Sequence, residues 1–484
     1  MNAEHPPLLP TQNLERIEGF GQNVSAVAYV FRPSTVDGIR AVFELARETG
    51  RSVAFRGAGR SYGDAALNSE NIVLDITRLN RILSWDPVQG IITVESGVTI
   101  AQLWQYVLPD GWWPAVVPGT MAPTLAGCAA MNIHGKNNFK AGPIGDHILA
   151  FEMMTPTGEI LRCTREENAD VFHAAIGGFG MLGCFTTITL EMKRVYSGLL
   201  RVEAINTGSL AEMFRVFEEK LPESDYLVGW IDAFARGKAL GRGQIHKANY
   251  LEPGEDARPA QTLRIEKQQL PDTIFGVLPK SILWRLMRPI TNRPGMRLLN
   301  MAKYRASWLM DRGTHVFLQS HAAFAFLLDY VPDWRRSYGK GGFIQYQSFI
   351  PEETALAAFT EQLEICQRVR LTPFLAVFKR HRRDDFLMRH SVDGYSLALD
   401  IRLTRRNRDR VWKMAAELDQ VVLRAGGRFY FAKDSTLTQP SAEQYLGPEA
   451  VSEFRRLRHR CDPDNILETN LYRRLFATTT SSPP

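Results

Sequence analysis

Two short stretches carry side chains able to move a proton or hold an anion: Asn132-Ile133-His134-Gly135-Lys136 and Ala432-Lys433-Asp434-Ser435. Histidine exchanges protons near neutral pH, and a lysine next to a small residue has room to reach a ligand. Each has an ordinary structural role as well. A lone histidine after the apolar run AAMNI is structural as often as catalytic, and Lys433 has Asp434 beside it for an ion pair. The ten histidines form neither H-E-x-x-H nor H-x-H, which argues against a metal centre.

These stretches sit among glycine-rich turns: RGAGRSYGD at 56–64, PGT at 118–120, HGKN at 134–137 and GGFGMLG at 177–183. Gly178-x-Gly180-x-x-Gly183 spells G-x-G-x-x-G, the dinucleotide fingerprint. That fingerprint needs a strand before it and a helix after it, whereas helix-like ADVFHAAI precedes and strand-like CFTTITLEM follows. The Rossmann reading is rejected on that order. Gly59-x-Ser61-x-Gly63 spells the nucleophile elbow, but DAALNSE leaves little room for the helix a hydrolase requires. Backbone N–H groups exposed in such turns form anion-binding nests. Several nests in one domain suit a ligand with a diphosphate, a dinucleotide bound outside a Rossmann fold.

The elements that would position the turns are legible by periodicity. RSVAFRG, NIVLDI, GIITVES, ILAFEMMT and FTTITLEMK read as strands, and TVDGIRAVFELARETG reads as an amphipathic helix with a threonine start and a glycine stop. From about 196 to 420 the chain is richer in aromatic residues and arginine. VGWIDAFA, GGFIQYQSFIP, FLAVFKRH and YSLALDIRL read there as an antiparallel sheet, with ALAAFTEQLEICQRVR and DRVWKMAAELDQVVLRAGG as covering helices.

Composition narrows the class. A chain of 484 residues, 45% hydrophobic and 23% charged, is that of a globular protein of two or three domains. Its net charge of +6 permits an anionic substrate or lipid surface. No zinc-finger spacing or aromatic RNA-binding signature supports nucleic acid. Five scattered cysteines read as reduced, mostly buried thiols. The N-terminus lacks a signal-peptide pattern and no long uncharged apolar run occurs, so the expectation is a cytoplasmic protein. Residues 1–10 and the TTTSSPP tail read as frayed ends. Residues 273–310 hold seven basic and no acidic residues, with Ile282, Leu283, Trp284, Leu286 and Met287 interleaved with Arg285 and Arg288. Two readings stand for this segment: a membrane-surface helix, or a long loop with a helix packed on the second domain.

From RGAGRSYGD onward the chain resembles the vanillyl-alcohol-oxidase-type flavoproteins, and within them the decaprenylphosphoryl-ribose 2-oxidases of arabinan synthesis. PGT, HGKN, AG-x-x-G-x-H at 141–147, GGFGMLG, F-x-QYQ-x-x-IP at 343–351 and AKDS at 432–435 carry the resemblance, which runs from about 15 to 475. It implies an α+β, two-domain FAD-binding fold whose substrate domain is an antiparallel sheet flanked by helices. The FAD domain would comprise 1–195 and 425–484, with the substrate domain at 196–424. FAD would lie against Arg56, Gly57, Ala58, Gly59, Arg60, Ser61 and Tyr62, then Pro118, Gly119, Thr120, Thr124 and Gly127. Asn132, Ile133, His134, Gly135, Gly178, Gly183 and Tyr430 complete that set.

Arg60 stands where covalent members of the superfamily often carry histidine, so the FAD is expected to be non-covalent. The resemblance puts Lys136, Gln345, Gln347, Lys379, Lys433 and Tyr62 on the substrate side, with Ala398 where mycobacterial members carry cysteine. It implies hydride transfer from a ribose C2 to the flavin. His134 and Lys433 are the two candidate bases, with Tyr62 beside them, and a cationic lysine would stabilise an alkoxide or hold a phosphate. The implied partners are a polyprenyl-phosphate-linked sugar, an NADH-dependent keto-reductase and a quinone or other electron acceptor, with peripheral contact at the inner membrane. The rival expectations are a soluble aldonolactone or alditol oxidase, a flavin-dependent alkene reductase and a basic scaffold protein without flavin.

Overall fold

The computed structural model describes residues 9–274, 278–311 and 314–477. Apart from Leu9 and Pro10, the expected frayed ends lie outside the described residues, as do 275–277 of the basic segment.

The chain first builds a small sheet in the order Leu14–Glu18, Ser25–Phe31, Ile72–Asp75, Val53–Arg56, whose last two pairings are parallel. Helix Val36–Thr49 links two of these strands. Thr35 caps its start by accepting from the Gly38 N–H, and Gly50 ends it in the left-handed conformation. Its buried face is Ile39, Val42, Phe43 and Ala46, the i, i+3, i+4, i+7 stripe read from the sequence. Fully burying a side chain such as Phe43 contributes about 1.5–3 kcal/mol.

A second, antiparallel sheet runs Ile82–Asp86, Ile91–Glu95, Cys184–Arg194, Ile148–Met154, Ile160–Thr164, with Trp112–Pro114 pairing onto Cys184–Arg194. Helix Ala169–Ala175 precedes the GGFGMLG turn and strand Cys184–Arg194 follows it, the reverse of a Rossmann unit.

The third sheet has eight antiparallel strands: Thr314–Ser320, Leu199–Thr207, Gly243–Tyr250, Tyr226–Ile231, Leu375–His381, Gly394–Arg402, Phe343–Pro351 and Arg428–Phe429. Helices Glu352–Arg368 and Arg408–Arg424 pack together and on strands Gly394–Arg402 and Phe343–Pro351. Strands Leu199–Thr207, Gly243–Tyr250 and Thr314–Ser320 were not marked by the sequence. The sheet also takes in Arg428–Phe429, a few residues past the expected boundary at 424.

After that strand the chain returns to the first sheet. Val53 N–H donates to the Ile466 carbonyl at 2.7 Å, and Glu468 N–H donates back to Val53 at 2.9 Å. The five cysteines are buried free thiols. Among the described residues no helix is long and apolar enough to cross a membrane.

Candidate active site

A cavity of about 560 Å³ lies where the glycine turns meet the eight-stranded sheet. That volume falls in the range of small-molecule sites, roughly 300–1,000 Å³.

One wall is backbone. Gly57 to Tyr62 line it, as do Pro118, Gly119, Thr120, Thr124, Gly127, Ile133 and Gly183. The turns are locked to each other. A Cβ on Gly57 would lie 2.1 Å from Thr124 Oγ1, so only glycine lets the first turn meet the helix Leu125–Ala130 that Thr124 caps. A Cβ on Gly63 would lie 1.9 Å from the Asp434 carbonyl, and Tyr62 N–H donates to the Ala432 carbonyl at 2.8 Å. Phe179 and Gly177 N–H groups donate to Ala130 and Ala129 carbonyls at 2.8 and 2.9 Å, tying GGFGMLG to the end of that helix. Asn132 and Phe179 sit at φ +43° and +42°. Such conformations cost about 1–3 kcal/mol each and persist where surrounding structure enforces them.

Four cofactor-side expectations stand behind this wall instead of lining the cavity. Arg56 donates to the Glu18 and Ala66 carbonyls and props up the first turn. Asn132 Oδ1 accepts from Gly145 N–H at 3.0 Å. Gly135 packs on Asn137, and Gly178 on the Ala174 carbonyl. Phe179, Gly180, Cys184 and Phe185 line the wall in their place. Phe179 and Gly180 belong to the GGFGMLG stretch already singled out, whereas nothing local marked Cys184 and Phe185.

The opposite wall is one face of the eight-stranded sheet. Successive strand side chains alternate between faces, and the register pairs Gln347 with Ala398, Gln345 with Asp400, Lys379 with Ser396 and Val377 with both Ala398 and Trp230. All but Asp400 line the cavity, joined by His134, Lys136, Tyr430 and Lys433. Gln345 Nε2 donates to Asp400 Oδ1 at 2.6 Å, and Gln347 Nε2 lies 3.2 Å from His134 Nε2. His134 Nδ1 is buried without a partner. His381 and His390 lie against His134, with ring centroids 4.9 and 5.6 Å away.

The charges are unusual. Burial pushes the Lys136 and Lys433 ammoniums down to about 7 and Lys379 to about 8. It also raises the Asp400 carboxyl to about 7. Burial, followed by the nearby Lys379, holds His134 well below the usual histidine range. Lys136 Nζ donates to the Phe324 carbonyl, and Lys433 Nζ sits 3.8 Å over the Tyr62 ring. Perturbed groups gathered in one cavity mark a functional site. Trp230, His246, Lys303, Ser396 and the buried Asp400 were not anticipated.

The arrangement fits a flavin dinucleotide. Turns in which Gly57, Gly63 and Gly183 leave no room for a Cβ bring backbone to one wall, and His134 and several lysines line the cavity with it, suiting a large ligand with a diphosphate and a polar ring edge.

A family model described as an FAD binding domain matches residues 27–164. A decaprenylphosphoryl-beta-D-ribose oxidase of Mycolicibacterium smegmatis is 32% identical over 469 residues, 95% of this chain and 97% of that protein. An L-gulonolactone oxidase of Bos taurus is 30% identical over 196 residues, 40% of this chain and 43% of that one. A putative D-arabinono-1,4-lactone oxidase of Neurospora crassa is 26% identical over 223 residues, 46% and 38%. The backbone cradle and the near full-length kinship agree: the chain is an FAD-dependent oxidoreductase of the vanillyl-alcohol-oxidase type and belongs to the decaprenylphosphoryl-beta-D-ribose oxidase family.

Proposed function

We propose that the protein oxidises the 2-hydroxyl of a polyprenylphosphoryl-β-D-ribose to the 2-keto sugar, the first half of an epimerisation to the arabinose form. One observation carries this reading: the glycine turns share their cavity with a sheet face presenting Gln345, Gln347 and Lys379, next to Lys433. The name of the mycobacterial relative supports it. Bound FAD supplies the hydride acceptor. Gly57 to Tyr62, Pro118 to Thr120, Thr124, Gly127 and Gly183 would hold it, without a covalent bond. Arg60 is no nucleophile, and burial holds the Cys184 thiol at about 12. Acid precipitation that leaves all flavin in the supernatant tests this.

Lys433 takes the hydroxyl proton. A group at about 7 is substantially neutral at neutral pH, whereas His134 is a weak base because its cation would be buried among lysines. Tyr62 positions Lys433 from below, and Lys379 stabilises negative charge growing on the sugar oxygen. Gln345 and Gln347 orient the sugar. The small Ala398 leaves room between them and Val377.

The same reading gives an FAD domain of 1–195 with 425–484 and a substrate domain of 196–424, and the return of 466–468 to the first sheet supports it. It passes the product to an NADH-dependent keto-reductase and the electrons to a quinone or other acceptor. It also rests the 278–311 segment on a membrane surface. Leu298, Trp308 and Leu309 there are 61%, 58% and 75% exposed, beside exposed Arg285, Arg288 and Arg297.

The lactone-oxidase relatives favour a second reading, a soluble aldonolactone or alditol oxidase. Anaerobic loss of the oxidised-flavin absorbance separates the two. Bleaching by a prenylphosphoryl ribose alone supports the proposal. Bleaching by free lactones or alditols overturns it.

A further inference from the structure

The lysines of the cavity are not equivalent. Lys136 donates to a backbone carbonyl, Lys433 feels the charge of Asp400, and both feel Lys379. Lys303 stands apart on the helix Arg293–Asp311, its Nζ 4.0 Å over the Trp230 ring. Desolvation by the surrounding protein lowers its pKa, to about 8, and among the described residues no carboxylate raises it. Lys303 is an exposed residue, and its ammonium, resting on an aromatic face with no carboxylate partner among the described residues, keeps N–H donors free for an anion.

Lys303 also marks a boundary. A second cavity, of about 250 Å³, adjoins the first, and Trp230, Lys303, Leu327, Leu328 and Leu375 line both. Beyond them its wall includes Met287, Met296, Leu299, Val331, Trp334 and Phe374, and among the described residues Lys303 is its sole charged lining residue. Methionine and large aromatic surfaces adapt to an irregular hydrocarbon. The two chambers together suit an amphiphile with a polar head, an anionic joint and an apolar tail, the joint falling at Lys303.

We propose that Lys303 binds the phosphate of a prenyl-phosphate-linked substrate and that the apolar chamber beside it takes the first units of the hydrocarbon chain. This rests on the lipid-linked sugar reading above and adds the residue that reads the junction. Trp230 positions the ammonium from below.

The test uses the full-length FAD-loaded protein and calorimetric titration with farnesyl phosphate, farnesol and inorganic phosphate. Farnesyl phosphate is expected to bind about ten-fold or more tighter than either other probe, the weight of one charge-assisted hydrogen bond. Lys303→Gln removes that margin and leaves farnesol affinity within about two-fold, while Lys303→Arg keeps most of it. Met296→Trp, which fills the chamber without touching the lysine, weakens farnesol and farnesyl phosphate alike. It serves as the second arm if Lys303→Gln does not retain flavin.

Equal losses for farnesol and farnesyl phosphate in Lys303→Gln, or no loss in either, overturn the proposal. So does inorganic phosphate binding as tightly as farnesyl phosphate, which would make this a free-phosphate site. Turnover is scored separately. A Lys303-dependent margin without oxidation of prenylphosphoryl ribose sinks the sugar assignment and keeps the site. Turnover with a KM indifferent to Lys303→Gln does the opposite.

Discussion

The cofactor-side wall of the main cavity and the outer wall of the apolar cavity beside it are built on different principles. The cofactor-side wall is backbone held by close, rigid partners: Gly57 against the helix-capping side chain of Thr124, Gly63 against the Asp434 carbonyl, GGFGMLG against the 129–130 carbonyls. Its tolerance for change is small because nothing flexible stands at the contacts. The outer wall, from Leu283–Met287 through the helix Arg293–Asp311 to Tyr338, is made of side chains, with Leu286, Leu298, Trp308 and Leu309 left facing solvent. A dinucleotide is the same molecule in every turnover, so its cradle can be rigid. A substrate that enters and leaves needs a wall of adaptable side chains. The sheet face opposite the cradle, with His134, Lys136 and Lys433 beside it, carries the titratable groups.

The largest effect should come from breaking the first wall. Gly63→Ala puts a methyl 1.9 Å from the Asp434 carbonyl, so two backbone segments must part. The expected outcome is protein purified without flavin or not folded, read by the ratio of flavin to protein absorbance. Leu298→Ala on the outer wall should leave that ratio unchanged. If both behave alike, the contrast between the walls is wrong.

Next comes the chemistry of the titratable groups. Lys433→Met should lower the rate of flavin reduction by roughly 10²–10⁴-fold with flavin content intact. The wild-type rate should rise with pH up to about 7 and then level off, because the unprotonated amine is the active form. A flat profile in the wild type would return the base to another group.

A smaller loss tests how the C-terminal chain supports the cradle. Arg474 donates to Asp64 at 2.8 Å and to Asp434 at 2.7 Å, and the three side chains are 26%, 13% and 8% exposed. Arg474→Met leaves two shielded carboxylates unpaired beside the first turn, and should cost about 3 kcal/mol in denaturant unfolding of the holoprotein. No change in midpoint would mean that the turn is held by its glycine contacts alone.

The smallest effect belongs to the outer surface. Trp308→Ser should weaken flotation with anionic vesicles by about ten-fold, the loss of one partly inserted aromatic side chain, without shifting the melting temperature. Unchanged flotation would leave the exposed apolar residues without a membrane role.

Sequence alone determined much of the cofactor side. Glycine turns after strands, Thr35 and Gly50 at the helix ends, and the reversed order around GGFGMLG are local patterns, and locality makes them readable. It also picked out His134, Lys136 and Lys433, whose neighbours in the chain set them apart. Only the tertiary structure decided which groups share a surface. Gln345, Asp400, Ser396, Lys379 and Trp230 come together through register across four strands far apart in sequence, and no local spacing encodes register. Burial is likewise a property of the assembled fold, and it is burial that brings Lys433 to about 7. Lys303 was visible only as one basic residue among seven in a basic segment. The folding of that helix over Trp230 gave it a cavity to face.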